Sequence, residues 1–143
     1  MSSVQQRVTE ILARHIIVKD CAIGTVLTGS RRDVLPDVLS VEARDRVISM
    51  YEASIKAGAT MLTTNTFLSD PLSLASCGVT YSCEEVVAAA LAAVKEARER
   101  SGKELFIAGS IGPSTRNISL AVDLTEDELR ASYRRLIEAL HSN

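Results

Sequence analysis

The sequence predicts an α/β fold with parallel strands, and three observations carry that prediction. Apolar segments beginning near residues 16, 60 and 105 recur about every 44 residues, a spacing that fits βα units. Runs with apolar residues at helical spacing separate them. Each apolar segment also ends in a polar or glycine-rich loop: Asp20-Cys21-Ala22-Ile23-Gly24-Thr25, Thr64-Asn65-Thr66-Phe67, and Gly109-Ser110-Ile111-Gly112-Pro113-Ser114. Three such loops at the same end of three parallel strands lie where an α/β barrel keeps its chemistry.

Val4, Val8, Ile11 and Leu12 open the chain with an amphipathic helix, after which His15-Ile16-Ile17-Val18-Lys19 extends as the first strand. Asp20 ends that strand, and Gly24 is expected to permit an unusual backbone turn just beyond it. A loop with Gly24, Gly29 and Pro36 leads to a second helix, defined by Val47, Ile48, Tyr51 and Ile55 and closed by Gly58. Thr60 to Thr64 forms the second strand. Ser82-Cys83-Glu84-Glu85 is a capping box, in which hydroxyl and carboxylate each satisfy an orphan backbone N–H. It starts a helix with Val87, Ala90, Leu91 and Val94 on one face and Gly102 at its end. Leu105-Phe106-Ile107-Ala108 is the third strand, apolar enough to be covered on both faces. Thr125-Glu126-Asp127-Glu128 repeats the capping pattern and opens a last helix with Leu129, Tyr133, Leu136, Ile137 and Leu140 inward. Ile17, Met61 and Ile107, or their alternating neighbours, line the strand face that the helices leave open.

Composition narrows the function. The chain has 143 residues, 46% hydrophobic and 24% charged, which suits one folded domain with a sizeable core. A formal charge of −2 offers no basic stripe for nucleic acid, and an aromatic content of 3% without Trp disfavours base stacking. No apolar stretch has membrane-spanning length, and Gln5, Gln6, Arg7 and Glu10 break any signal-peptide core, so a cytoplasmic protein without a membrane partner is expected. Cys21, Cys77 and Cys83 are odd in number and form no paired short motif, so free thiols are expected rather than disulfides. The glycine-rich third loop lacks the spacings of a nucleotide-binding loop. His15 and His141 lie away from the strand exits, and Arg31, Arg32 and Asp33 read as a solvated loop, with substrate gating as the alternative.

The three loops resemble those of the homocysteine S-methyltransferase family, which includes the homocysteine-binding module of cobalamin-dependent methionine synthase. The first is similar to the family's Asp-Gly-Ala-Met-Gly-Thr, with Cys21 in place of its first Gly. Ala57-Gly58-Ala59 through Phe67 is similar to Ala-Gly-Ala-Asp-Ile-Ile-Glu-Thr-Asn-Thr-Phe, with Thr63 in place of the Glu. Ala108 through Leu120 resembles the methionine-synthase-like wording of this segment more than that of the betaine-dependent branch. This resemblance implies a TIM (β/α)8 barrel, which needs about 250 residues. Residues 1–143 then form its N-terminal portion, about the first three βα units with an N-terminal helix that covers the barrel bottom.

The resemblance also implies a substrate and a chemistry. Asp20 would hold the α-amino group of homocysteine while the backbone N–H groups of Cys21 and Ala22 meet its carboxylate. A strand-exit position marks Asp20 as serving binding more than stability. Asn65 either orients the polar substrate or holds the adjacent loop, and an Asp at a loop start can equally cap local backbone. The family's zinc is held by three thiolates from later strands and lowers the pKa of the homocysteine thiol for attack on a methyl donor. The three cysteines of this chain do not match those ligands, so no metal ligand and no catalytic residue is assigned here. The complete barrel is expected to form methionine, with methyltetrahydrofolate through a corrinoid protein, or a methyl-sulfonium or betaine compound, as the donor. The isolated chain is expected to be inactive, to bind no zinc, and to self-associate or pair with a complementing barrel half. The alternative is a non-catalytic or degenerate fragment acting as a subunit or interaction partner.

Overall fold

A computed structural model describes residues 4–31, 33–116 and 124–142. Helix α1 (Val4–Leu12) precedes an extended segment to Lys19, then come α2 (Ile23–Thr28), a 3-10 turn (Pro36–Val38), α3 (Leu39–Glu42) and α4 (Arg44–Lys56). Strand β1 (Met61–Thr63) follows, then α5 (Pro71–Ser76), α6 (Cys83–Ser101), β2 (Phe106–Ala108) and α7 (Glu126–Ser142). The two strands are parallel, with Met61 opposite Phe106, Leu62 opposite Ile107 and Thr63 opposite Ala108.

The first expected strand is reduced to a single parallel bridge between Lys19 and Met61. Thr60 and Met61 both donate to the Val18 carbonyl, at 2.8 and 3.1 Å, and Asp20 N–H donates to Met61 at 3.0 Å. The ladder stops there because Val18 N–H is spent on the Thr60 hydroxyl, at 3.0 Å, and Ile16 stands 87% exposed with no strand beyond it among the described residues.

The helices pack on one face of the strands. Leu62 is fully buried among Val47, Tyr51 and Ile55 of α4 and Ala93, Val94 and Ala97 of α6, with Ile107 beside it. A second cluster joins Val86, Val87 and Leu91 of α6 to Leu136 and Ala139 of α7 and Leu74 of α5. The register decides which neighbours face the open side, and burial corrects two further expectations. Ile107 shares the helix-covered face with Leu62, which leaves Met61 and Phe106 for the open side. Strand β2 is half-buried throughout, short of the full cover on both faces that its apolar run predicts. Ile137 of α7, expected inward, is 52% exposed, because Ser132, Leu136 and Ala139 take the buried stripe.

Both capping boxes form. Ser82 accepts from Glu85 N–H while the Glu85 carboxylate accepts from Ser82 N–H, and Thr125 and Glu128 do the same at the start of α7. Gly102 ends α6 at φ 63°, a conformation costly for a residue with a Cβ. Gly24, by contrast, makes no unusual turn. It lies in the first turn of α2, where an added Cβ would stand 3.3 Å from the Pro36 ring, so its bareness serves packing. The loops after Asp20 and Phe67, read as irregular, hold α2, α3 and α5. No described helix is long and apolar enough to cross a membrane. The tail of the third motif, residues 117–120, and Arg32 lie outside the described residues.

Candidate functional site

The chain leaves its three strand positions at one end of the molecule, and buried polar groups knit the exits together. Asp20 is buried, and its carboxylate staples the first segment to β1. Oδ2 accepts from Thr63 N–H at 2.8 Å, and the Thr63 hydroxyl sits 2.9 Å from Oδ1 and 3.1 Å from Oδ2. Lys19 Nζ adds an ion pair at 3.2 Å. Thr63, the departure from an acidic residue, thus supplies a donor where a second carboxylate would repel Asp20.

The Cys21 thiol is turned onto α4, 3.6 Å from Met50 Sδ and 3.5 Å from Ser54 Oγ. Ala22 is the residue from which α2 starts, at φ −72° and ψ 89°. Asn65 is buried, and its amide nitrogen donates to the Pro36 carbonyl at 2.7 Å and to Ser40 Oγ at 3.0 Å, so its donors hold the loop that carries the 3-10 turn. Beneath it, Ser110 N–H donates to Thr64 Oγ1 at 2.9 Å and the Thr66 hydroxyl donates to the Ser110 carbonyl at 2.8 Å. With the Thr66 proton committed, the 2.6 Å contact between the two threonines has Thr64 as donor. Tyr51, fully buried on α4, donates to the Thr63 carbonyl at 2.7 Å; burial raises its pKa above the usual phenol value.

The third loop closes over the second. Gly112 N–H donates to the Phe67 carbonyl at 2.9 Å, and a Cβ at Gly112 would come within 2.6 Å of that oxygen. No side chain fits there. Ser114 N–H goes to the Tyr133 hydroxyl at 2.7 Å, Thr115 N–H to Ser73 Oγ at 3.0 Å and Arg116 N–H to Ser114 Oγ at 3.3 Å. These amides are consumed internally and make no phosphate cradle.

Between the loops lies a cleft of about 370 Å³. Its walls come from Lys19, from Cys21 through Thr25, from Pro36 and Asp37, from Thr63 through Asn65, from Phe67 and Leu68, and from Ser110. Cys21, Ala22 and Asn65 are therefore brought together on one cavity, while Asp20 stands behind its wall and lines a separate groove toward Met50 and Val26. A third groove, between Arg7 and Ile11 of α1 and the start of β2, lies at the opposite end of the strands.

Asp37 is the wall residue that sequence reasoning missed. It is only 2% exposed, and its Oδ1 accepts from both Leu68 N–H and Ser69 Oγ, each at 2.8 Å. Burial pushes its carboxyl above the ordinary range against the pull of those donors, and nearby Asp70 adds to the rise. The signal was present as a lone acid inside the apolar run Val34-Leu35-Pro36-Asp37-Val38-Leu39.

The cysteines stand apart: Cys21 before α2 with its thiol against α4, Cys77 exposed after α5, and Cys83 buried at the start of α6. Among the described residues, no three His, Cys, Asp or Glu side chains converge to hold a metal. These separated thiols do not fit a zinc site among the described residues.

A family model described as homocysteine S-methyltransferase matches residues 17–143. The structure is similar to that of the homocysteine methyltransferase MmuM from Escherichia coli. Against the metallated form the TM-score is 0.74 at 20% sequence identity, over 93% of this chain and 52% of that one. Against the oxidized form it is 0.66 at 18%, over 94% and 52%. At these identities the likeness is one of fold, and the chain spans about half the length of the solved structures it matches.

Proposed function

The chain belongs to the homocysteine S-methyltransferase family, and from that premise we propose that residues 1–143 are the N-terminal portion, about three βα units, of a (β/α)8 barrel that methylates homocysteine to methionine. In this reading the cleft at the strand exits receives the amino-acid end of homocysteine. The observation that carries it is the convergence of all three motif loops, through Cys21 to Thr25, Thr63 to Asn65 with Phe67 and Leu68, and Ser110, on that one cavity.

The roles follow from the chemistry of each group. The backbone at Cys21 and Ala22 faces the ligand, and the thiol turned onto α4 leaves that approach clear. Asn65 shapes the wall by holding the 3-10 turn, with its carbonyl oxygen as the ligand-facing acceptor. Asp20 acts as a positioning residue through Thr63. Activation of the substrate sulfur by zinc, and the methyl donor, whether a corrinoid protein, a folate or a small methyl compound, belong to the rest of the barrel. The chain alone is thus a binding module without turnover, in a cytoplasmic protein. A non-catalytic role as a subunit is the second reading, and the exposed edge at Ile16 and Val18 favours it.

Titration of the labelled chain with L-homocysteine, followed by amide NMR, tests the proposal. Saturable shifts confined to Cys21 through Thr25, Thr63 through Leu68 and Ser110 are expected. Shifts at the opposite end of the strands, or none that saturate, reject it.

A further inference from the structure

We propose that Tyr133 is a positioning residue of the cleft: from α7, its hydroxyl fixes the third loop against the second and so sets the wall formed by Phe67 and Ser110. The assignment rests on the homocysteine reading and adds to it a residue that belongs to none of the three motifs. Two consecutive hydroxyls of α7 hold the two loops. Ser132 is buried, donates to Asp70 Oδ1 at 2.8 Å and accepts from Leu72 N–H at 3.2 Å. These bonds tie α7 to the start of α5, and with Leu136 and Ala139 packed on α6 they set the register of the helix. Tyr133 follows one residue on, about 100° further around the helix, and its hydroxyl reaches the third loop. It accepts from Ser114 N–H at 2.7 Å and donates to the Gly112 carbonyl at 3.2 Å, two backbone groups outside every helix and strand.

Gly112 transmits this hold to the cleft. Its N–H donates to the Phe67 carbonyl at 2.9 Å, and an added Cβ would come within 2.7 Å of the Phe67 ring, so the loop backbone lies directly against that ring. Phe67 lines the cleft, and so does Ser110, whose N–H and carbonyl are bound by Thr64 and Thr66. The threonines therefore fix the near end of the third loop, and Tyr133 fixes its far end. Tyr133 itself is half-buried along the outer groove of α7, beside Leu129 and Ile137, and does not line the cleft. A phenylalanine would fill the same place on the helix, so packing does not account for the hydroxyl. The loop does. Without the hydroxyl, Gly112 and Ser114 lose their tie to α7 and the loop is released from the Phe67 ring. A ligand then binds only the fraction of molecules whose wall is in place.

The test titrates the full chain and Tyr133→Phe with L-homocysteine by calorimetry, with Leu136→Val on the same helix as the control for lost stability alone. Tyr133→Phe is expected to bind about two- to tenfold more weakly, the reach of an ordinary hydrogen bond, and to move the amide resonances of Phe67 and Ser110 in the ligand-free chain. Leu136→Val is expected to lower the unfolding midpoint and to leave the affinity of the folded chain unchanged. Unchanged affinity in Tyr133→Phe overturns the assignment and leaves the homocysteine reading standing. An equal loss of affinity in Leu136→Val also overturns it, since the stability of α7 would then explain the effect. If the original chain binds no homocysteine, the homocysteine reading falls, and the ligand-free resonances decide the role of Tyr133: unmoved Phe67 and Ser110 amides in Tyr133→Phe reject it. Should Tyr133→Phe fail to fold, hydrogen exchange at the Ser114 amide of the original chain decides. Homocysteine should slow that exchange, and an unchanged rate with ligand bound refutes the proposal.

Discussion

At the scale of single residues, the strand exits show how a substitution in a motif is absorbed. Thr63 stands where the resembling motif has an acid, and its hydroxyl and N–H both serve Asp20. Cys21 stands where that motif has glycine, and its side chain finds room against Met50. Neither accommodation was legible in the sequence, because each depends on which neighbour the strand register brings up. Cys83 gives a prediction at this scale. Burial pushes its thiol up to about 11, with neighbouring Glu84 adding and Arg135 opposing. At pH 8 about a thousandth of it is thiolate, so exposed Cys77 should alkylate first and Cys83 only on unfolding. The sign for stability follows. The folded state keeps a proton that the unfolded chain releases near the ordinary thiol pKa, so the contribution is whole below about pH 9 and lost as pH rises toward 11. Equal alkylation rates for Cys77 and Cys83 in the native chain would contradict this.

At the scale of elements, the sequence was most readable where a local rule acts alone. The two capping boxes, the glycine that ends α6 and the core stripe of α6 follow from side chains within one or two helical turns. The first strand was less readable, since a strand exists only through its partners and residues 15–18 have them on one side alone. The short helices α2, α3 and α5 were unreadable for a related reason. Each has six residues or fewer and is held by tertiary contacts rather than by periodicity: Leu27 of α2 is buried in the core, Ser40 of α3 accepts from Asn65, and Leu72 N–H of α5 donates to Ser132. The tie between the first segment and β1 revises one expectation. An acid at a strand exit was expected to matter little for folding, but Asp20 is buried and bonded across elements. Asp20→Asn should therefore destabilise by roughly 1–3 kcal/mol, since it presents an amide donor to Lys19 and removes the charge that strengthens the Thr63 bonds. Thermal unfolding measures this, and an unchanged midpoint would show that Asp20 is not the staple.

At the scale of the whole molecule, among the described residues the core helices α4 and α6 cover one face of the strands and leave the other face and the edge at residues 15–18 open. The sequence showed that this would be so, since successive right-handed crossovers place their helices on the same side. It did not show which side chains face outward, because a one-residue shift in register exchanges Phe106 for Ile107, and only the pairing of Leu62 with Ile107 decides. Ile16 at 87% exposure, Val18 at 47% and Val26 at 53% follow the open edge, beside backbone groups that have no strand partner among the described residues. Burying side chains of this size is worth about 1.5–3 kcal/mol each, and an unpaired edge is a template for another chain. The isolated chain is therefore expected to self-associate through this edge, with a sedimentation coefficient that rises with concentration. Replacing Ile16 and Val18 by Lys should lower the association without lowering the unfolding midpoint, because neither side chain contributes to the cores built on Leu62 and Val87. A monomer at high concentration that binds no hydrophobic dye would mean that the edge is satisfied within the chain, and that three βα units close on themselves without the rest of a barrel.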